Sequence, residues 1–146
     1  MSRVKYFDVG AYPLFFGFCG SERAFNSELV KLGIDKAKAE YITKGAAACT
    51  HVMHYLDKDD HIRDVNIIVS IDLEEASKWH PTKLMGVCAH EAVHVKQHIF
   101  DLIEEREPGA EHEAYMVQYI AQLLFKEVLE HVVSKQKKKR LTKSRR

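Results

Sequence analysis

A histidine, a glutamate and a second histidine stand close together in the middle of the chain, in the order His90-Glu91-Ala92-Val93-His94. Residues four apart on an α-helix share one face, about one turn from each other, so both imidazoles can reach one metal ion. The carboxylate between them can reach a water molecule bound to that ion. The spacing therefore predicts a metal centre with His90 and His94 as ligands and Glu91 as the residue that handles the proton.

The motif lies on a segment with helical periodicity. Apolar residues recur there with the 3.6-residue period of an amphipathic helix. They are Cys88, Ala92, Val95, Ile99 and Leu102. A short motif also arises by chance, so the competing interpretation is a half-buried helix that carries histidines without any chemistry.

A catalytic zinc centre needs a third protein ligand and leaves one position for water. Pro108-Gly109 interrupts the motif helix, and a last helix, predicted from about Gly109 to Val133, would turn back against it. Its first turn carries Glu111, His112 and Glu113. Periodicity does not decide between these residues, and acids in a first turn also stabilise the helix dipole without any metal.

With Zn²⁺ bound, this centre would hydrolyse amides. The ion lowers the pKa of its water and polarises a carbonyl, while Glu91 takes the proton as general base and returns it to the leaving amine. The oxyanion donor could be Tyr115, His112 or His54, and each of these residues also has an ordinary structural interpretation. A peptide substrate could pair with Asn66–Ile71 if that strand lies at a sheet edge, whereas an internal strand would exclude this.

The remaining pattern predicts an α+β fold, with a small antiparallel sheet packed on the motif helix and on a long C-terminal helix. Of two short aromatic-rich stretches, Val4–Phe7 and Tyr12–Cys19, we predict at least the second to be a buried strand. We also predict strands at Ala46–Leu56 and Val65–Ile71, paired as an antiparallel hairpin. Ser21 should cap a first helix that Gly33 ends, and a weaker helical segment should follow from Asp35 to about Thr43. The expected buried stripe of the last helix is Ala110, Ala114, Val117, Ala121, Leu124 and Val128.

Composition indicates an ordinary globular domain with an unusual C-terminus. Residues 135–146 contain eight basic residues and no acid, and residues 1–134 carry 14 basic against 21 acidic residues. We therefore expect one domain over 1–134 and a disordered basic tail over 135–146. The tail could contact nucleic acid weakly, bind an acidic protein surface or keep the chain soluble.

Cysteine usage and hydropathy restrict the environment. Three cysteines far apart, Cys19, Cys49 and Cys88, favour a reducing compartment over a disulfide framework. No apolar run is long enough to cross a membrane, and the N-terminus has no signal-peptide pattern, so we expect no membrane partner.

The motif together with Glu111-x-x-Ala114-Tyr115 resembles the gluzincin-type zinc metallopeptidases, whose third ligand is a glutamate that opens such a segment. The resemblance implies Zn²⁺ as cofactor, a zincin-like fold, and Glu111 rather than Glu113 as the third ligand. This chain has Tyr115 where many of those enzymes have the aspartate that supports a ligand histidine.

A narrower resemblance, to small tailed-bacteriophage proteins with a His-Glu-x-x-His motif, spans most of residues 10–125 and excludes the basic tail. It is carried by four runs, Tyr12–Glu22, Ala48–His51, His90–Gln97 and Ala114–Ile120. It implies a phage origin, and with it a place in the bacterial host cytoplasm or the virion, but no known substrate. Three functions follow: a zinc-dependent peptidase, a non-enzymatic zinc-containing structural or assembly protein of a phage, and an accessory protein that binds nucleic acid or a host factor through its tail.

Overall fold

The computed structural model describes residues 3–9, 12, 14–56, 59 and 62–143, without the side chains at 55–56, 62–64 and 136–143. Its strands form one sheet that is mixed in direction. They are β1 (Lys5–Asp8), β2 (Phe15–Cys19), β3 (Ala48–Leu56) and β4 (Ile62–Ile71). Its helices are α1 (Glu22–Lys31), α2 (Leu73–Ala76), α3 (Pro81–Leu102) and α4 (Ala110–Lys143). The predicted α+β class is confirmed.

The strand order in the sheet is β1-β2-β4-β3. β2 runs parallel to β4, and the other two pairs are antiparallel, so the expectation of a purely antiparallel sheet is wrong. The hairpin of β3 and β4 is confirmed. Because β4 is paired on both sides, the idea that Asn66–Ile71 forms an open edge is also wrong. Residues 67–71 of β4 are buried on both faces, which explains the unbroken apolar run from Ile67 to Val69.

The sheet is covered on both faces. Alternate residues of the central strands point to opposite sides. Phe16, Ile67 and Val69 pack with α3 and α4 in the larger core, whereas Ile68 and Met53 pack with α1 in the smaller one. α3 is thereby fixed against the sheet beside the edge strand β3.

α3 has defined ends. The ring of His80 accepts a hydrogen bond from the backbone N–H of Thr82, and Pro81 occupies the first helical position, where its missing N–H is not needed. At the other end, Glu104 adopts a positive φ of 57°, which ends the helical path. The predicted break between the two long helices is therefore confirmed.

α4 extends further than predicted. It continues to Lys143, beyond the predicted end near Val133, whereas 144–146 lie outside the described residues. Disorder of the tail over 135–146 stays a prediction. Lysine and arginine are good helix formers, and cations near a helix C-terminus are stabilised by the helix dipole. Lys135 is also anchored, because its ammonium donates to the carboxylate of Glu74.

The buried face of α4 also differs from the prediction. Ala110 and Ala114 are exposed, whereas Met116 and Ile120 are buried in their place, together with Leu124 and Val128. The packed face is thus rotated by roughly 60° about the helix axis, given about 100° per residue. Methionine and isoleucine bury more apolar area than alanine, so they turn that face toward the core.

Two smaller expectations are also settled. Ser21 caps α1 through its side chain, as predicted. The weak helical segment after Asp35 is reduced to one 3₁₀ turn over Lys36–Lys38. Within the part of the chain that the structure describes, no helix is long and apolar enough to cross a membrane.

Candidate metal centre

The two histidines of the motif converge. Nε2 of His94 lies 3.1 Å from Nε2 of His90, with the rings nearly perpendicular. Two imidazole nitrogens bound to one tetrahedral zinc ion are about 3.3–3.4 Å apart, given bonds of about 2.0–2.1 Å. The pair therefore fits as two neighbouring ligands of one ion. Without metal, the same separation is a hydrogen bond from one neutral ring to the other.

His94 has a second polar partner. Its Nδ1 lies 3.2 Å from Oε1 of Gln97, one turn along the helix. An Nδ1–H that donates to this amide leaves Nε2 with its lone pair free, which is the tautomer a metal ligand needs. Gln97 was missed from the sequence, although its position three residues after His94 places it on the same helix face.

Glu91 lies on the inner side of the pair. Its exposed fraction is 4%, and its Oε2 accepts a hydrogen bond of 2.6 Å from the hydroxyl of Thr50. His90 is exposed and His94 is half-buried, so the centre sits where the core meets solvent, as the sequence predicts. A buried carboxyl group needs a hydrogen-bond partner, and Thr50 supplies one.

Thr50 belongs to β3, one of the two edge strands of the described sheet. β4 occupies one side of β3, and no described strand occupies the other. Thr50, Val52 and His54 alternate onto one face of the strand. The motif helix packs on the sheet face formed by β3 and β4. The Thr50–Glu91 hydrogen bond links that helix to β3, whose other side is open within the described sheet. Thr50 could not have been found from the sequence, because its role depends on how the sheet packs against α3.

Glu113 forms an ion pair away from the two histidines. Its carboxylate lies 2.7 Å from the ammonium of Lys96. Lys96 also lies over the ring of Phe100, on the flank of α3 that packs against α4. On a helical wheel this flank is far from the face that carries His90 and His94.

The structure does not bring Glu111 to the histidine pair. Glu111 is exposed, and it shares the solvent-facing side of α4 with Tyr115, Gln118 and Gln122. The rotated packing of α4 is the physical reason, since it turns Glu113 toward α3 and Glu111 away from it. Among the described residues, no group of three histidine, cysteine, aspartate or glutamate side chains is arranged to hold a metal ion.

Two of the candidate oxyanion donors, His112 and Tyr115, lie away from the histidine pair. His112 accepts or donates a 2.7 Å hydrogen bond with the hydroxyl of Tyr12, and its ring stacks on Phe100. Phe100 lies six residues beyond His94, or about 9 Å along the axis. Tyr115 is 66% exposed on the outer side of α4, so neither residue contacts the pair.

The cysteines add no ligand here. All three thiols are free. Burial raises the pKa of Cys88 to about 12, and the nearby carboxyl of Glu91 adds to the effect. Without a bound metal, the Cys88 thiol therefore stays protonated near neutral pH and is a poor nucleophile.

Comparison of this chain with protein-family models, with curated proteins and with solved structures finds no match.

Proposed function

We propose that this chain is a metal-dependent peptidase in which His90 and His94 bind Zn²⁺ and Glu91 acts as general base. One observation carries the proposal: two imidazole nitrogens 3.1 Å apart on an exposed helix face, with a buried carboxyl group one residue away. The gluzincin resemblance of the motif supports the same chemistry. When bound, zinc would lower the pKa of a water molecule and polarise the substrate carbonyl.

Each nearby side chain has a separable task. Glu91 accepts a proton from the attacking water and passes it to the amine that leaves. Thr50 holds the Glu91 carboxyl in place through its 2.6 Å hydrogen bond. Gln97 fixes the ring of His94, so that its Nε2 faces the Nε2 of His90.

The substrate would bind as an added strand. The open side of β3 can donate and accept backbone hydrogen bonds with an extended peptide. Beside the same strand is an open cleft of about 410 Å³, lined by Val52, Met53 and His54 of β3 and by residues between 32 and 39. Side chains of a bound peptide would point alternately toward α3 and toward this cleft. Residues from 48 to 56 therefore replace Asn66–Ile71 as the proposed peptide-binding strand.

The two carboxylates in the first turn of α4 are the candidates for a third zinc ligand. Two protein donors are fewer than the three of a catalytic zinc site. Glu111 is the candidate that the resemblance favours, and it can contribute only if the first turn of α4 reorients. Zinc affinities of Glu111→Ala and Glu113→Ala, measured side by side, decide between the two carboxylates, and unchanged affinity in both excludes them.

A non-enzymatic metal-binding role is the second candidate. It is favoured by the burial of Glu91, whose carboxyl group already has a structural partner in Thr50. In that role the protein would be a structural or assembly component of the kind the phage resemblance implies. Contact of the basic C-terminus with nucleic acid would be a property separate from the metal centre.

The test compares the zinc-loaded parent protein with Glu91→Gln on a mixture of peptides of diverse sequence. We expect cleavage by the parent, a loss of about 10²–10⁴-fold in the variant, and equal zinc content in both. Glu75→Gln, an exposed acid on α2, is the control and should retain full activity. Equal cleavage by Glu91→Gln would refute the general base, and a zinc-loaded parent that cuts nothing would favour the structural role.

A further inference from the structure

α4 carries a second stripe on the side away from the core, which is apolar toward both ends and polar in the middle. Large apolar side chains remain exposed there, with exposed fractions from 40% for Val133 to 66% for Tyr115. The stripe is made of Tyr115, Tyr119, Gln122, Lys126, Leu129 and Val133. All six residues are exposed, and we call this set the outer seam.

The outer seam has the spacing of a coiled coil. Its residues alternate in steps of four and three, which is the heptad pattern that keeps one helix face against a partner helix. The buried stripe through Met116, Ile120 and Leu124 already accounts for packing onto the core. A helix that is apolar on two separate sides is expected to have a partner on each.

The order of the steps is compatible with a second copy of the chain as the partner. Read in either direction, the outer seam gives the same sequence of spacings: four, three, four, three, four. An antiparallel copy of the same helix therefore places Tyr115 opposite Val133 and Tyr119 opposite Leu129. Gln122 then falls opposite Lys126. Such a pairing is related by a two-fold axis, which is the commonest symmetry of protein dimers.

Charge favours the same arrangement. The stretch 104–113, which leads into α4, contains five glutamates and one arginine. The stretch 135–143 at the other end contains six basic residues and no acid. An antiparallel pair sets each acidic stretch against the basic stretch of the other copy, whereas a parallel pair would set like charges together.

We infer that a second copy of this chain docks on the outer seam and forms an antiparallel two-helix interface. The seam spans about 28 Å along the helix axis at about 1.5 Å per residue, and one helix is about 10 Å wide. That strip is smaller than a standard interface of about 800 Å² per partner. The dimer should therefore dissociate on dilution and weaken in high salt, which screens the flanking charges.

Sedimentation of the full chain over a wide concentration range tests the inference. We expect a reversible monomer–dimer equilibrium whose dissociation constant rises by about tenfold or more from low to high salt. The dissociation constant of Leu129→Glu should exceed that of the parent by about tenfold or more at the same salt concentration. Val30→Glu is the matched control, because Val30 is an exposed apolar residue of α1 outside the seam, and it should leave the equilibrium unchanged. A chain that stays monomeric at all concentrations overturns the inference. The same holds if the monomer binds nucleic acid or another protein but forms no dimer.

Cysteine cross-linking tests the direction of the helices. Tyr119→Cys and Leu129→Cys are made separately in a Cys49→Ser background, since the thiols of Cys19 and Cys88 are buried. On oxidation, a mixture of the two variants should form mixed dimers, and each variant alone should not cross-link. Cross-linking of each variant with itself would show a parallel pair and contradict the inference. Neither sedimentation nor cross-linking depends on the metal centre. The dimer can therefore fail its test while the proposed function holds, and the reverse.

Discussion

The hydroxyl of Thr50 donates a 2.6 Å hydrogen bond to Oε2 of Glu91, and so links the edge strand β3 to the middle residue of the motif. Glu91 is 4% exposed, so its carboxyl group is held inside the protein against β3. The contact joins the two parts that the proposed reaction needs: the residue that moves the proton and the strand that would hold the peptide.

Removal of that hydroxyl should cost stability. Thr50→Val keeps the shape of the side chain and leaves the Glu91 carboxyl without its donor, so we expect a loss of about 1–3 kcal/mol in the free energy of unfolding. Thr50→Ser keeps the donor and should recover most of that loss. Urea denaturation of both variants measures the difference, and equal stability of Thr50→Val and the parent would show that the bond contributes nothing.

The amide of Gln97 should affect metal affinity rather than folding. Gln97→Ala removes the acceptor for Nδ1 of His94, and loss of such a supporting contact typically weakens metal binding about 10–100-fold. Gln118→Ala, an exposed glutamine of α4, is the control. Zinc titration with a competing chelator gives both affinities, and an unchanged value for Gln97→Ala would mean that the amide does not orient the ring.

Two glycines should respond to alanine in opposite ways. A Cβ at Gly17 would lie 2.6 Å from Cγ1 of Val4 and 3.1 Å from the ring of Tyr6, so Gly17→Ala should destabilise the sheet by about 1–3 kcal/mol. A Cβ at Gly86, inside α3, would meet nothing within 4 Å, so Gly86→Ala should stabilise the chain by about 0.5–1 kcal/mol. Thermal unfolding of the two variants gives the signs, and a Gly17→Ala protein as stable as the parent would refute the close packing of β1 on β2.

Acidification should destabilise the protein through its half-buried histidines. Burial lowers the pKa of His51 from its ordinary value of 6.5, despite the hydrogen bond of its Nε2 to the carbonyl oxygen of Tyr41. Burial lowers the pKa of His98 as well. Below about pH 6.5 the unfolded chain therefore binds more protons than the folded chain, and stability falls as the pH falls through this range.

The variant His51→Gln tests this pH dependence, because it keeps a donor for Tyr41 and cannot titrate. The free energy of unfolding, measured by urea at a series of pH values from about 7.5 to 5, should fall less steeply in His51→Gln than in the parent. A slope equal to that of the parent would mean that His51 is not responsible.

Local signals in the sequence predict the motif helix and its neighbours well. The period of Cys88, Ala92 and Val95 places α3, and the β-branched run places β4. Whether β4 lies inside the sheet or at its edge depends on a parallel pairing with β2, which lies about fifty residues away along the chain. No local pattern encodes that pairing, so the sequence alone leaves both an edge and an internal position open for Asn66–Ile71, and the structure shows the internal one.

The third ligand illustrates the same limit of local patterns. Alanines at 110 and 114 fit an apolar stripe as well as Met116 and Ile120 do, if only polarity is considered. Side-chain size decides between the two faces, and the resulting rotation of α4 turns Glu111 to solvent. Thr50 and Gln97 likewise gain their roles only when β3 and α3 have been brought together.

Metal binding by the full chain tests the central claim most directly. Calorimetric titration of the parent chain with Zn²⁺ should show one ion bound per chain. His90→Ala and His94→Ala should each lose that site. His80→Asn, which changes a histidine outside the motif and keeps a side chain able to cap α3, should bind as the parent does. A parent chain that binds no zinc, or histidine variants that bind it as tightly as the parent, would contradict the account.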